Sequence, residues 1–238
     1  MTTGNVTPER SHIASLQEHI DGVIRDVMAS FPDPAHLSAD ERRGIIARYT
    51  AVLEGNFIYW MTAADLSVAS DEAHMIIQDN LREEVRDNHP GMLRTFAIAA
   101  HAVPTESDAL AVYRNLESVR LFVARLSGMQ IVLMMAFFEG WITRFMPYLA
   151  ELATRQGSAE QEYTDVHGVV DVVHTQGLFR AAEAEMALMH DPPPPATKLL
   201  EGVDLLRTLI RSIVDPRAAD HPQPNMASSE YAKSPRRG

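Results

Sequence analysis

The sequence predicts an all-α bundle of seven or eight helices with no sheet, and three observations predict it. Apolar residues recur at helical spacing in one segment after another. No stretch alternates polar and apolar residues over a useful strand length. The periodic segments are bounded by prolines and by helix-capping patterns. The chain contains no glycine-rich phosphate loop and no G-x-S-x-G elbow, so nucleotide-binding and α/β-hydrolase architectures lack their signatures.

The first helix covers residues 8–31, where Ile13, Leu16, Ile20, Val23, Val27 and Met28 share one face. Phe31-Pro32-Asp33-Pro34 ends it, because proline cannot continue a helix. Ser38-Ala39-Asp40-Glu41 reads as a capping box. The helix it starts carries Ile45, Tyr49, Leu53, Phe57, Trp60 and Met61 and fades near Ser67. A third helix runs from Ser70 or Asp71 towards His89-Pro90-Gly91, and helical pattern resumes from Met92 to His101 before Pro104. Thr105 or Ser107 opens a long helix with Ser127-Gly128 as a candidate joint. From Met129 to Leu152 that helix is apolar on nearly every side, which predicts burial. After the turn Gln156-Gly157-Ser158 another helix extends to Met189. Pro192 to Pro195 reads as a stiff polyproline linker and Thr197–Val214 as a last helix. One domain over residues 1–214 and a disordered polar tail over 215–238 are expected.

Composition narrows the chemistry. The 238 residues suffice for a substantial core, and an apolar fraction of 46% is ordinary for a globular chain. There is no cysteine, which excludes disulfides, thiolate metal sites and a cysteine nucleophile together. A transition metal would have to sit on His, Asp and Glu, a set that suits iron, manganese or zinc. The net charge of −11 lacks the basic footprint of a nucleic-acid binder. The N-terminus shows no apolar signal region, and Met129–Trp141 is too short to span a bilayer and contains Gln130 and Glu139. The expected setting is cytoplasmic. The expected partner is a small-molecule substrate, with no nucleic acid and no membrane, and a homodimer is left open.

The residues that carry chemistry begin with Tyr163-x-x-x-His167-x-x-x-Asp171-x-x-His174. Helical positions four and seven apart stack on one face, so two imidazoles and a carboxylate form one stripe. That set is a common ligand group for non-haem iron. Val166, Val169, Val170, Val172 and Val173 surround it, and their apolar bulk argues for burial over a plain polar helix face. Glu139 sits between Phe138 and Gly140-Trp141. A lone buried carboxylate there needs a metal or an ion pair with an arginine such as Arg125 or Arg144. Asn80-Leu81-Arg82-Glu83-Glu84-Val85-Arg86-Asp87-Asn88-His89-Pro90 gathers acids beside one histidine, although such runs are also common as solvated helix faces. Glu54, in an apolar run, is either a ligand or a boundary glutamate. Four helices thus offer acids and imidazoles at core positions, more than one ion needs and a suitable number for two.

In this order and spacing the residues resemble the haem-oxygenase-like di-iron oxidases and oxygenases, over residues 40–180. The resemblance rests on the Asn80-Leu81-x-Glu83-Glu84 element with His89-Pro90, and on the final His167-x-x-x-Asp171-x-x-His174 motif. It implies a haem-oxygenase-like bundle and two Fe(II) ions with O2 as co-substrate. The implied ligands are Glu54, then Glu84 with His89, then Glu139, then His167, Asp171 and His174. One departure concerns Glu84 and His89, which are five apart and off-face for a regular helix. Either the helix deforms before Pro90, for which a π-bulge would serve, or Glu83 or Asp87 is the acidic partner. Ferritin-like di-iron proteins fit poorly, since no Glu-x-x-His element is present at Glu54, Glu84 or Glu139.

The resemblance further implies O2-dependent oxidation of a small amino acid or amino-acid-derived metabolite in specialised biosynthesis. C–H oxidation (desaturation, C–C cleavage or ring formation) is the first expectation and N-oxygenation of an amine the alternative. Phe57, Trp60, Met134, Met135 and Phe138, with Tyr163, are the expected lining of an apolar substrate pocket. Arg180, Arg120 or Arg125 would pair with a substrate carboxylate. Two other classes stand beside this one. A cofactorless oxidase of the pyrroloquinoline-quinone-synthase type would use the histidines as acid–base groups. A non-enzymatic helical module would hold them as a satisfied polar network. His190-Asp191 alone, with no second metal element in order, does not support a phosphohydrolase.

Overall fold

The computed structural model describes residues 8–189 and 194–216, and among them every regular element is helical. In chain order these are α1 (Pro8–Ala29), α2 (Ala39–Leu53), α3 (Phe57–Ser67), α4 (Asp71–Arg86), α5 (His89–Ala99), α6 (Glu106–Val123), α7 (Gly128–Arg155), α8 (Glu162–Ala187), α9 (Ala196–Leu199) and α10 (Glu201–Val214). A 3₁₀ turn, Pro34–His36, lies between α1 and α2. The expected all-α bundle is observed. The tail from residue 217 and residues 190–193, including His190-Asp191 and the start of the proline run, lie outside the described residues.

Three expected helices are divided. The segment from Ser38 to Ser67 breaks at Glu54-Gly55-Asn56, where Gly55 takes φ 78°, a conformation open to glycine at little cost. The joint at Ser127-Gly128 is a full break, with Leu126 at φ 52°. Gly128 is needed there because a Cβ would lie 2.4 Å from the backbone oxygen of Ser67. The last helix is split by a turn at Leu200. The starts follow the expected chemistry: Ser38 with Glu41 and Thr105 with Asp108 both form complete capping boxes.

One continuous apolar cluster fills the bundle, and α7 is its axis. Residues Ile131 to Glu139 of α7 are buried without interruption, as the absence of a polar face predicts. Helix α8 packs along α7, with α1, α2, α3 and α10 around them and α4 against α8. Two glycines bring the site helices close. A Cβ on Gly140 of α7 would sit 3.1 Å from Ile24 Cδ1 and 3.5 Å from Thr175 Cγ2 of α8. One on Gly177 of α8 would sit 3.1 Å from Ile76 Cγ2 of α4. Outside the core, Arg43 of α2 binds Asp108 of α6 at 2.6 Å, and Arg48 donates to the Ile213 carbonyl at the end of α10. No helix among the described residues is long and apolar enough to cross a membrane.

Candidate metal centre

Helix α8 carries His167, Asp171 and His174 on its inner stripe, all three buried. The valines do not bury it: Val169, Val172 and Val173 are 72%, 42% and 66% exposed. Burial comes from α7 and α4 packing against the opposite side of α8. Glu139 of α7 faces this stripe, and Glu84 of α4 and His89 of α5 close it from the other side.

These six residues form two groups. Glu84, His89 and His167 make one, and Glu139, Asp171 and His174 the other; within each, potential ligand atoms lie within 4.8 Å of one another. In the first group His89 Nδ1 is 2.8 Å from Glu84 Oε1. That is a hydrogen-bond distance, and it is also close to the roughly 3 Å between right-angle ligands on an ion with bonds of about 2.0–2.2 Å. His167 Nδ1 donates to the Tyr163 carbonyl at 2.8 Å, which leaves Nε2 as the free lone pair. In the second group His174 Nδ1 lies 3.9 Å from both Glu139 Oε1 and Asp171 Oδ1. Opposed ligands on one ion can be about 4 Å apart, so this spacing also fits.

The spacing problem at Glu84 and His89 is solved by a clean break. α4 ends at Arg86, and Asn88 adopts the left-handed conformation (φ 56°, ψ 42°) before α5 starts at His89. No π-bulge is used. The turn rotates His89 back over Glu84, so Glu84 is its acidic partner. Asp87 points outward and pairs with Arg86 at 2.7 Å. Glu83 goes elsewhere, accepting from His174 Nε2 at 2.9 Å.

The electrostatics are those of a buried acidic cluster that could hold a cation. Among the described residues, Glu139 Oε1, both carboxylate oxygens of Asp171 and His174 Nδ1 are buried with no hydrogen-bond partner, apart from a proton that the Glu139 and Asp171 carboxyls can share between them. The arginines that might neutralise Glu139 are engaged on the surface, Arg125 with Glu201 and Arg144 with Asp21. Burial pushes the Glu139 pKa well up, and the negative fields of Asp171 and Glu84 add to it. Burial and the field of Glu84 raise Asp171 likewise. His167 is pushed down to about 4, chiefly by burial, and is therefore a neutral donor at neutral pH. Burial opposes a charge on His89, but the bond to Glu84 together with the negative fields of Glu84, Asp87 and Glu83 outweighs it and raises that pKa. Two buried acids, Glu139 and Asp171, with no countercharge among the described residues are costly in a folded protein. Divalent cations would relieve that cost, and the donor set of carboxylates and imidazoles fits them.

The seventh implied ligand, Glu54, belongs to neither group. It caps the end of α2, is exposed, and is held by Arg94, whose Nε donates to Glu54 Oε1 at 2.6 Å. The Glu54–Arg94 pair nevertheless lines one cavity with Glu84, His89, His167 and Glu139. Its volume is about 40 Å³, and Leu53, Phe57, Ile58, Leu93, Ile142 and Tyr163 supply the remaining wall. Of the expected substrate residues, Phe57 and Tyr163 therefore line the cavity. Trp60 and Phe138 stack edge to face behind it, ring centroids 5.4 Å apart and fully buried. Arg180 is exposed and lines no part of it, Arg120 binds Asn56 Oδ1 at 2.8 Å, and Arg125 is taken by Glu201. Sequence reading missed Arg94 because one turn of α5 past a helix break gives no register to a lone arginine. It also missed Tyr49, whose hydroxyl meets that of Tyr163 at 2.6 Å and braces the ring that lies tilted against His167.

No model of a known protein family matches the chain, and no curated protein or solved structure matches it with significance.

Proposed function

We propose that the chain is a non-haem di-iron oxidase or oxygenase of the haem-oxygenase-like kind, using O2 on a small amino acid or amino-acid-derived metabolite. The observation that carries this reading is the second buried group, where Glu139, Asp171 and His174 present four buried polar atoms that no donor or countercharge outside the group satisfies among the described residues. Beside it, a first group of the same composition lies on the same stripe of α8. Glu84, His89 and His167 would hold one ion and Glu139, Asp171 and His174 the other. Two ferrous ions held there would supply two of the four electrons that reduce O2, and the oxidised substrate the other two.

The chain's own residues do the rest. Leu53, Phe57, Leu93 and Ile142 form a dry throat that limits water at the centre. Arg94 at its mouth offers a guanidinium to a substrate carboxylate, in exchange for an exposed pair with Glu54 that is cheap to break. A carboxylate held there would direct the far end of the substrate towards Glu84 and His89; C–H oxidation at that end is the first reading and oxygenation of an amine carried there the alternative. The cavity is small, so a compact substrate is favoured.

The test is anaerobic titration of the metal-free protein with Fe(II), then mixing with O2 in a stopped-flow spectrometer across a panel of amino acids. Uptake of about two irons per chain and a transient visible band that depends on one substrate are expected. No uptake, or uptake unaltered in the His167→Ala, His174→Ala double variant, sinks the reading.

A further inference from the structure

Two adjacent acids of α4 point in directions about 100° apart, as successive helix residues must. Glu84 turns inward to His89. Glu83 lies along the outer edge of the α4–α8 contact, its side chain 41% exposed, and reaches Nε2 of His174, whose side chain is only 4% exposed. Gly177, three residues on from His174, lets α4 approach closely enough for this reach. A carboxylate can only accept, so the hydrogen at this contact sits on Nε2 of His174. The lone pair then lies on Nδ1, the atom that faces Glu139 and Asp171 and has no hydrogen-bond partner among the described residues.

The three histidines differ in how they are held. His167 is fixed by a backbone carbonyl of its own helix and His89 by a buried carboxylate of the same group. His174 is fixed by a side chain from outside its group, on another helix. A neutral imidazole chooses its donor nitrogen by the bond the other nitrogen makes. Without Glu83, both the tautomer and the ring angle of His174 lose their only polar restraint among the described residues.

We propose that Glu83 is the positioning residue of the Glu139–Asp171–His174 group, accepting Nε2–H of His174 so that Nδ1 is presented to the metal. This rests on the metal reading above and adds to it a prediction specific to one of the two groups. Glu83 touches no reacting atom and acts only through His174.

The experiment titrates full-length protein with Mn(II), following free ion by EPR, for wild type, Glu83→Gln and Glu83→Ala. In wild type two ions bind. In Glu83→Ala one site weakens by about 10- to 100-fold, the usual loss when a ligand histidine loses its supporting carboxylate, while the other stays within about twofold. Glu83→Gln, whose amide oxygen can still accept from Nε2–H, falls between them. Because Glu83 is partly exposed, the metal-free variants should melt close to wild type. ¹⁵N NMR of the metal-free protein supplies a second readout: His174 is the Nε2–H tautomer in wild type and a mixture in Glu83→Ala. Equal weakening at both sites, or unchanged affinity at both with an unchanged tautomer, overturns the proposal. If wild type binds no Mn(II) at all, the metal reading fails on its own account, and the tautomer measurement still decides whether Glu83 positions His174.

Discussion

Replacing Glu139 by glutamine should stabilise the metal-free protein while destroying one metal site. Glu139 is 1% exposed and its Oε1 has no hydrogen-bond partner among the described residues, with His174 Nδ1 3.9 Å away. In the metal-free fold its carboxyl must either ionise beside Asp171 and Glu84 or take up a proton, and both are unfavourable at neutral pH. An amide keeps the shape, removes the charge and can donate to Asp171. Relief of one unpaired buried polar group is worth about 1–3 kcal/mol. At about 2–4 °C per kcal/mol for a chain of this size, the melting temperature should rise by roughly 2–12 °C. The effect has a pH signature. Because folding raises the Glu139 pKa, the folded state holds a proton that the unfolded chain releases above the ordinary carboxylate range. Stability from this group is therefore full at low pH and is lost as pH rises towards the raised value. His167 works in the opposite direction: with a folded pKa of about 4, it makes stability rise between about pH 4 and its ordinary value of 6.5. That contribution is common to both proteins and cancels in the comparison. The assay is differential scanning calorimetry of metal-free wild type and Glu139→Gln from pH 5 to 8. The gap should widen with pH. A variant that melts below wild type across the range, with a gap independent of pH, would refute the argument that Glu139 is an uncompensated buried acid.

Metal itself should act in the same coordinate. Saturating two sites at about 100 times their dissociation constants adds about 5 kcal/mol, or roughly 10–20 °C of melting temperature, and chelation should reverse it. Arg94→Met should weaken binding of a carboxylate substrate by about 10- to 100-fold, as loss of a charge-assisted pair implies, with metal content unchanged; isothermal titration against metal-loaded protein reads both. Gly128→Ala should cost at least about 2 kcal/mol in chemical denaturation, because its Cβ would meet the Ser67 oxygen at 2.4 Å and backbone cannot step aside as a side chain can.

The helices were legible because burial imposes a period on the sequence, and α7 shows this most plainly, buried on every side where its residues are apolar on every side. The α8 stripe was legible for the same reason, since His167, Asp171 and His174 repeat the helical period and therefore had to converge. Glu139 is legible as an anomaly, a charge in an apolar run, but only the structure closes the alternative of an arginine partner, by pairing Arg125 and Arg144 at the surface. What period cannot reveal is the direction of a residue beyond a chain break. Glu54 stands at the last position before Gly55 turns the chain, and it faces the mouth of the cavity where a continuous helix through Trp60 had been expected. The valines of α8 misled in the opposite sense, because apolar composition was read as burial and three of them face solvent.

The break between α4 and α5 is where local backbone chemistry decides whether the first group exists. Glu84 and His89 would diverge on a continuous helix, and they meet because Asn88 takes φ 56°. Asparagine tolerates that region, glycine does so freely, and a β-branched residue does so worst, at a cost of about 1–2 kcal/mol or more. The side chain of Asn88 also occupies the space beside Gly91, where a Cβ would come within 2.2 Å of Asn88 Nδ2. Asn88→Gly should therefore preserve the turn and the metal affinity of the Glu84–His89–His167 group. Asn88→Val should force the turn towards extended backbone, swing His89 off Glu84 and weaken that group at least tenfold, leaving Glu139, Asp171 and His174 to bind as before. Metal titration of the two variants separates the cases. Equal affinity in both would mean that His89 reaches its place without the left-handed turn, and that the five-residue spacing is accommodated by α5 itself.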